Sequence, residues 1–158
     1  MMDDTSPTDA GPHDLTITRL IDAPREAVWR AYTDYLAEWW CPKPWSVELL
    51  EQDMRPGGRS AMIMRGPNGE ESPQEGVYLE IVPQQRIVFT DAFSAGWHPQ
   101  GPFIVGIMEF ADEAGATRYT ATARHWSAEA KAQHEAMGFV EGWGKVAEQL
   151  EEVAKRIA

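Results

Sequence analysis

The sequence has almost no cysteine: Cys41 stands alone in 158 residues. No intrachain disulfide can form, and a reducing compartment is the natural setting. Basic residues are also scarce, with 14 Lys and Arg against 25 Asp and Glu, for a formal net charge of −11. Such a surface repels phosphate backbones and anionic membrane faces, which argues against nucleic acid and lipid headgroups as partners. No run approaches the roughly 20 apolar residues of a membrane-spanning helix. The first residues lack a basic, then apolar, signal-peptide pattern. The expected location is cytoplasmic. Metal-ligand spacing is missing too: His98, His125 and His134 form no His-x-x-x-His, and there is no Cys-x-x-Cys. Neither a Gly-x-Ser-x-Gly elbow nor a phosphate loop is present, so no metal and no cofactor is expected.

Large apolar side chains are abundant. Seven tryptophans and seven methionines lie in a chain whose apolar fraction is 43%. Such rings and thioethers fill cores and also line pockets. The length fits one domain that buries its core without staples. Residues 1–13, rich in Asp, Thr, Pro and Gly, read as a disordered tail. Residues 14–158 read as the domain.

Strand signals dominate the first two thirds. Leu15, Ile17 and Ile21 alternate with polar neighbours, and Pro24 is placed at the first position of a short helix carrying Val28, Trp29, Ala31 and Tyr32. An aromatic segment, 35–40, ends at Pro42 and Pro44. Trp45, Val47 and Leu49 then alternate. Turns are marked by Arg55-Pro56-Gly57-Gly58 and Gly66-Pro67-Asn68-Gly69. Ser60, Met62 and Met64 share a face, as do Val77, Leu79 and Ile81. A strand with Ile87, Val88 and Phe89 follows, then a long loop over 94–102, an apolar strand over 103–110 and a last strand over 117–125. In that last strand Tyr119, Ala121, Ala123 and His125 share the inward face.

From Ser127, a natural N-cap, the pattern predicts one helix running to Ile157. Ala136, Phe139, Val140, Trp143, Val146, Leu150, Val153 and Ile157 draw its apolar stripe. Glu141–Lys145, Glu151–Lys155 and Glu152–Arg156 are at i,i+4 spacing on its outer face. Gly138, Gly142 and Gly144 each cost about 1 kcal/mol in a helix. Close approach of helix to sheet is the favoured reason for them, ahead of a flexible point over a pocket mouth. The class is α+β: an antiparallel sheet of six or seven strands wrapped around a long C-terminal helix, with one or two short helices after the first strand.

A set of motifs then carries a family resemblance: Asp22-Ala23-Pro24 with Val28-Trp29; Trp39-Trp40 with Pro42; and Asp53-Met54-Arg55-Pro56-Gly57-Gly58-Arg59. Further along come Met64-Arg65-Gly66-Pro67, Gly76-Val77-Tyr78, Arg86-Ile87-Val88-Phe89-Thr90-Asp91, and Met137-Gly138-Phe139 before Gly142-Trp143. In this order the chain resembles bacterial homologues of the activator of the heat-shock protein 90 ATPase. These fall within the START-like helix-grip superfamily (SRPBCC) that also holds polyketide cyclases and lipid-transfer domains. The resemblance implies a helix-grip fold with an apolar cavity between sheet and helix. The eukaryotic activator carries a separate N-terminal chaperone-binding domain where this chain has a short tail, so a chaperone partner is not the expectation.

Residues expected at the cavity are Trp40, Trp45, Met62, Met64, Tyr78, Phe89, Phe93, Trp97, Met108, His125, Phe139 and Trp143, with Tyr119 on the same face. The leading expectation is a binding domain for an apolar or amphipathic small molecule. A cyclase- or dehydratase-like enzyme using His125, Asp91 or Tyr78 is the second reading. An interaction protein, as a co-chaperone or homodimer, is the third; it calls for an exposed apolar patch around Trp39, Trp40 and Trp45.

Overall fold

The structure is a computed structural model and describes residues 9–158. The tail expected over 1–13 therefore lies largely outside the described residues. Its last part is tied down: Asp9 O accepts from Arg124 Nη2 at 2.6 Å, and His13 O accepts from the His125 backbone N–H at 3.1 Å.

Strand β1 (Asp14–Ile21) leads into helix α1 (Arg25–Asp34) and a short 3-10 turn (Leu36–Glu38). Then come β2 (Ser46–Gln52), β3 (Arg59–Arg65), β4 (Glu71–Val82) and β5 (Arg86–Thr90). The two-residue strands β6 (Phe93–Ser94) and β7 (His98–Pro99) pair with each other. Strands β8 (Val105–Glu113) and β9 (Ala116–Arg124) precede helices α2 (Ala128–Ala136) and α3 (Phe139–Ile157). The main sheet is antiparallel and has seven strands in the order β1-β9-β8-β5-β4-β3-β2.

The alternation read in the last strand holds: Tyr119, Ala121 and Ala123 are buried, and the opposite face is bound across strands, as in the 3.1 Å Thr16–Thr122 hydroxyl contact. In β4 the period fails. The register shifts between Tyr78 and Glu80, so Val77 and Tyr78 are both buried and Leu79 is 37% exposed, contrary to the expected Val77, Leu79, Ile81 face. A bulge places two residues against one and turns the side chain that follows.

The C-terminal segment is two helices, not the single one predicted. Gly138 takes φ +90°, the left-handed region; it follows Met137, the C-cap of α2, and is itself the N-cap of α3. The break resets the helical phase. Val140, assigned to the buried stripe, is 57% exposed, and Ala136 is also exposed. Ser127 does cap α2, its Oγ accepting from Ala130 N at 3.1 Å. Pro24 sits one place earlier than expected, as the extended N-cap of α1 rather than its first helical residue.

Helix α3 lies against α1. Arg30 Nη2 donates to Ile157 O at 3.0 Å, and Arg156 reaches Glu38 at 2.7 Å instead of pairing with Glu152. Glu151 holds Arg19 on β1 at 2.7 Å. The main core packs Ile21, Val28, Ala31, Trp39, Ile87, Phe110, Leu150 and Val153 between helices and sheet. A smaller cluster joins Leu15, Ile104, Ala123 and Phe139.

Candidate functional site

The core does not fill the space between sheet and α3. A cavity of about 390 Å³ remains. Its sheet wall is Met62 and Met64 of β3, Tyr78 of β4, Phe89 of β5, Met108 of β8 and Tyr119 and Ala121 of β9. Tyr32, Leu36, Trp40 and Pro42 close one side. Trp143 and Val146 of α3, with His134 of α2 and Met137 just beyond it, complete the lining. Met137 is 73% exposed, and the lining residues Phe103, Gln74 and Glu75 are exposed as well, which marks the mouth.

Two glycines shape this space in opposite ways. A Cβ on Gly106 of β8 would meet the Phe89 ring at 2.4 Å, so glycine is what lets that ring lie across the sheet and reach Trp40, centroid to centroid 5.9 Å. Gly142 lines the cavity, and a Cβ there would meet nothing within 4 Å; the same holds at Gly144. Close helix–sheet approach is therefore not the reason for these two glycines. Gly142 borders open space.

The wall made by 39–43 is fixed by one buried amide. Gln149 of α3 donates through Nε2 to Trp39 O at 3.0 Å and Cys41 O at 2.7 Å, and its Oε1 accepts from Lys43 N at 3.0 Å. Trp39 itself is buried and donates Nε1–H to Ala31 O at 2.9 Å. Cys41 is buried within this segment, and burial pushes its thiol up to about 11. A neutral, enclosed thiol is a poor nucleophile.

Of the residues expected at the cavity, Trp40, Met62, Met64, Tyr78, Phe89, Met108, Tyr119 and Trp143 line it. The rest lie outside it, each for a local reason. Trp45 covers the turn at Gly66. Phe93 and Trp97 stack edge to face at 6.0 Å on the β6–β7 hairpin, with Trp97 lying over Gly57. Phe139 belongs to the smaller core cluster. His125 is buried behind another histidine: its Nδ1 meets His13 O at 2.8 Å and its Nε2 meets His134 Nδ1 at 2.8 Å. Trp39, expected on an exposed patch with Trp40 and Trp45, is fully buried.

The three groups considered for catalysis are not assembled with one another. Asp91 borders the cavity, but its Oδ1 accepts the backbone N–H groups of Phe103 at 2.8 Å and Ile104 at 3.2 Å, which fixes the entry to β8. Tyr78 has Ser60 and Gln52 as hydrogen-bonding neighbours, and burial raises its phenol above the ordinary range, so it stays a neutral donor. Burial likewise raises Tyr119 and Tyr32. His134, Tyr32 and Val146 are lining residues absent from the expected set. Val146 stood on the helical stripe. His134 was obscured because the period was extended through the Gly138 break.

Among the described residues, no group of three or more His, Cys, Asp or Glu could hold a metal ion, and no helix is long and apolar enough to cross a membrane.

A seven-stranded antiparallel sheet closed by a C-terminal helix, with a cavity between them, defines a START-like helix-grip domain. The family described as activator of Hsp90 ATPase homolog 1-like protein matches residues 22–155, and the chain belongs to that family. A solved protein of Nitrosomonas europaea is 36% identical, with a TM-score of 0.89 over 93% of this chain and 97% of that one. One from Mycobacterium smegmatis is 28% identical, with a TM-score of 0.75 over 89% of each chain. An AHSA1-like protein from Aeromonas hydrophila, 20% identical, shares the fold with a TM-score of 0.69 over 91% of this chain and 93% of that one. No curated protein matches the chain.

Proposed function

We propose that this domain binds an apolar or amphipathic small molecule in the cavity between sheet and α3. The observation that carries the reading is the cavity itself. Its volume of about 390 Å³ falls in the range of small-molecule sites, and methionine and aromatic side chains dominate its wall. Binding is favoured over turnover because His125, Asp91 and Tyr78 are engaged in separate hydrogen-bonding arrangements, and His125 lies outside the wall.

Two wall residues report on occupancy, Trp40 and Trp143. Titration with para-propyltoluene is expected to give a saturable change in tryptophan emission and a one-to-one calorimetric isotherm. A linear response, with no saturation by either method, would remove the binding reading.

A further inference from the structure

The two histidines at the end of β9 and in α2 form a chain with a fixed direction. A backbone carbonyl only accepts, so the 2.8 Å contact to His13 O assigns the proton of neutral His125 to Nδ1. His125 Nε2 is then an acceptor, and the group facing it at 2.8 Å, His134 Nδ1, is the donor. The second nitrogen of His134, Nε2, is left with a bare lone pair. Among the described residues nothing hydrogen-bonds it, and it is not one of the fully enclosed polar atoms that lack a partner. His134 lines the cavity, so the cavity is where that lone pair finds space.

The ring is held in place on several sides. Phe103, Phe139 and Trp143 surround it with centroids at 4.6, 5.1 and 5.9 Å. His134 is only 6% exposed. Burial, and then the neighbouring His125, pull its imidazole down to about 4, so at neutral pH it keeps the acceptor form.

We propose that the cavity selects amphipathic ligands carrying a hydroxyl or N–H donor, and that His134 Nε2 is the acceptor that reads this donor. This deepens the binding reading and rests on it. The apolar body of the ligand lies against Met62, Met64, Met108 and Phe89, with the donor turned toward α2. A ligand with only acceptors leaves the lone pair unmet and is disfavoured.

The test compares para-propylphenol with para-propyltoluene, in which a methyl replaces the hydroxyl, by calorimetry on wild type and on His134→Phe. The phenol-to-toluene affinity ratio is expected to be about three- to tenfold higher in wild type than in the variant, one neutral hydrogen bond's worth. An equal ratio in the two proteins overturns the assignment of His134 while leaving the cavity as a binding site. Failure of both probes to bind wild type overturns the binding reading and this one together. Because His134→Phe leaves His125 Nε2 unmet and can impair folding, the imidazole nitrogens of wild type are followed by NMR as well. His134 Nε2 is expected in the unprotonated position, moving with the phenol and not with the toluene. A protonated Nε2, or one indifferent to the phenol, is the contrary result.

Discussion

Gln149 shows how much one side chain can hold. It occupies a helical position on the apolar side of α3, one turn from Val146 and Val153, and it is 3% exposed. A buried amide in that setting is tolerable only when its hydrogen bonds are met, and here three backbone groups of 39–43 meet them. Gln149→Leu keeps the bulk and leaves Trp39 O, Cys41 O and Lys43 N without this partner. A loss of about 2–4 kcal/mol is expected in urea denaturation, since each buried polar group left unmet costs about 1–3 kcal/mol. A change under ~0.5 kcal/mol would mean that water replaces the amide. The polar residue on an apolar stripe was visible in the sequence. Its partners were not, because they lie more than a hundred residues away and local periods carry no such information.

At the scale of elements, the sequence was most readable where one period governs one element. Strand β9 alternates except at Thr122, which is buried as well, and the α3 stripe from Trp143 onward predicts Leu150 and Val153 in the core. It was least readable where a backbone irregularity interrupts the period. The bulge in β4 exposed Leu79, and the break at Gly138 exposed Val140 and turned His134 inward. The glycines of this region should therefore separate in their response to alanine. Gly138→Ala forces a Cβ into the left-handed region and is expected to cost about 1–2 kcal/mol. Gly144→Ala enters open space in a regular helix and is expected to add up to about 1 kcal/mol. Paired urea melts decide the matter. Two losses of similar size would mean that Gly144 also answers to packing.

For the whole molecule, the resemblance named the architecture correctly, because motif order along the chain reports topology. It could not report which side chains line the space and which fill it. That depends on where α3 lies over the sheet, and Gly142 is the position where the two interests of the protein diverge. It borders the cavity with nothing within 4 Å of a would-be Cβ. Gly142→Leu places an aliphatic group in that space and restores helix propensity. Stability is expected to stay level or rise by about 1 kcal/mol, while affinity for para-propyltoluene falls at least tenfold. Undiminished affinity in a stable variant would place the ligand elsewhere.

The single cysteine gives this fold a built-in clock. With its thiol at about 11 and its side chain enclosed, Cys41 holds on the order of one thiolate in ten thousand at neutral pH. Alkylation must then wait for the strap that Gln149 fastens to come away from α3. The rate at which a maleimide consumes that one sulfur reports the population in which this wall of the cavity stands open, with no probe engineered into the chain.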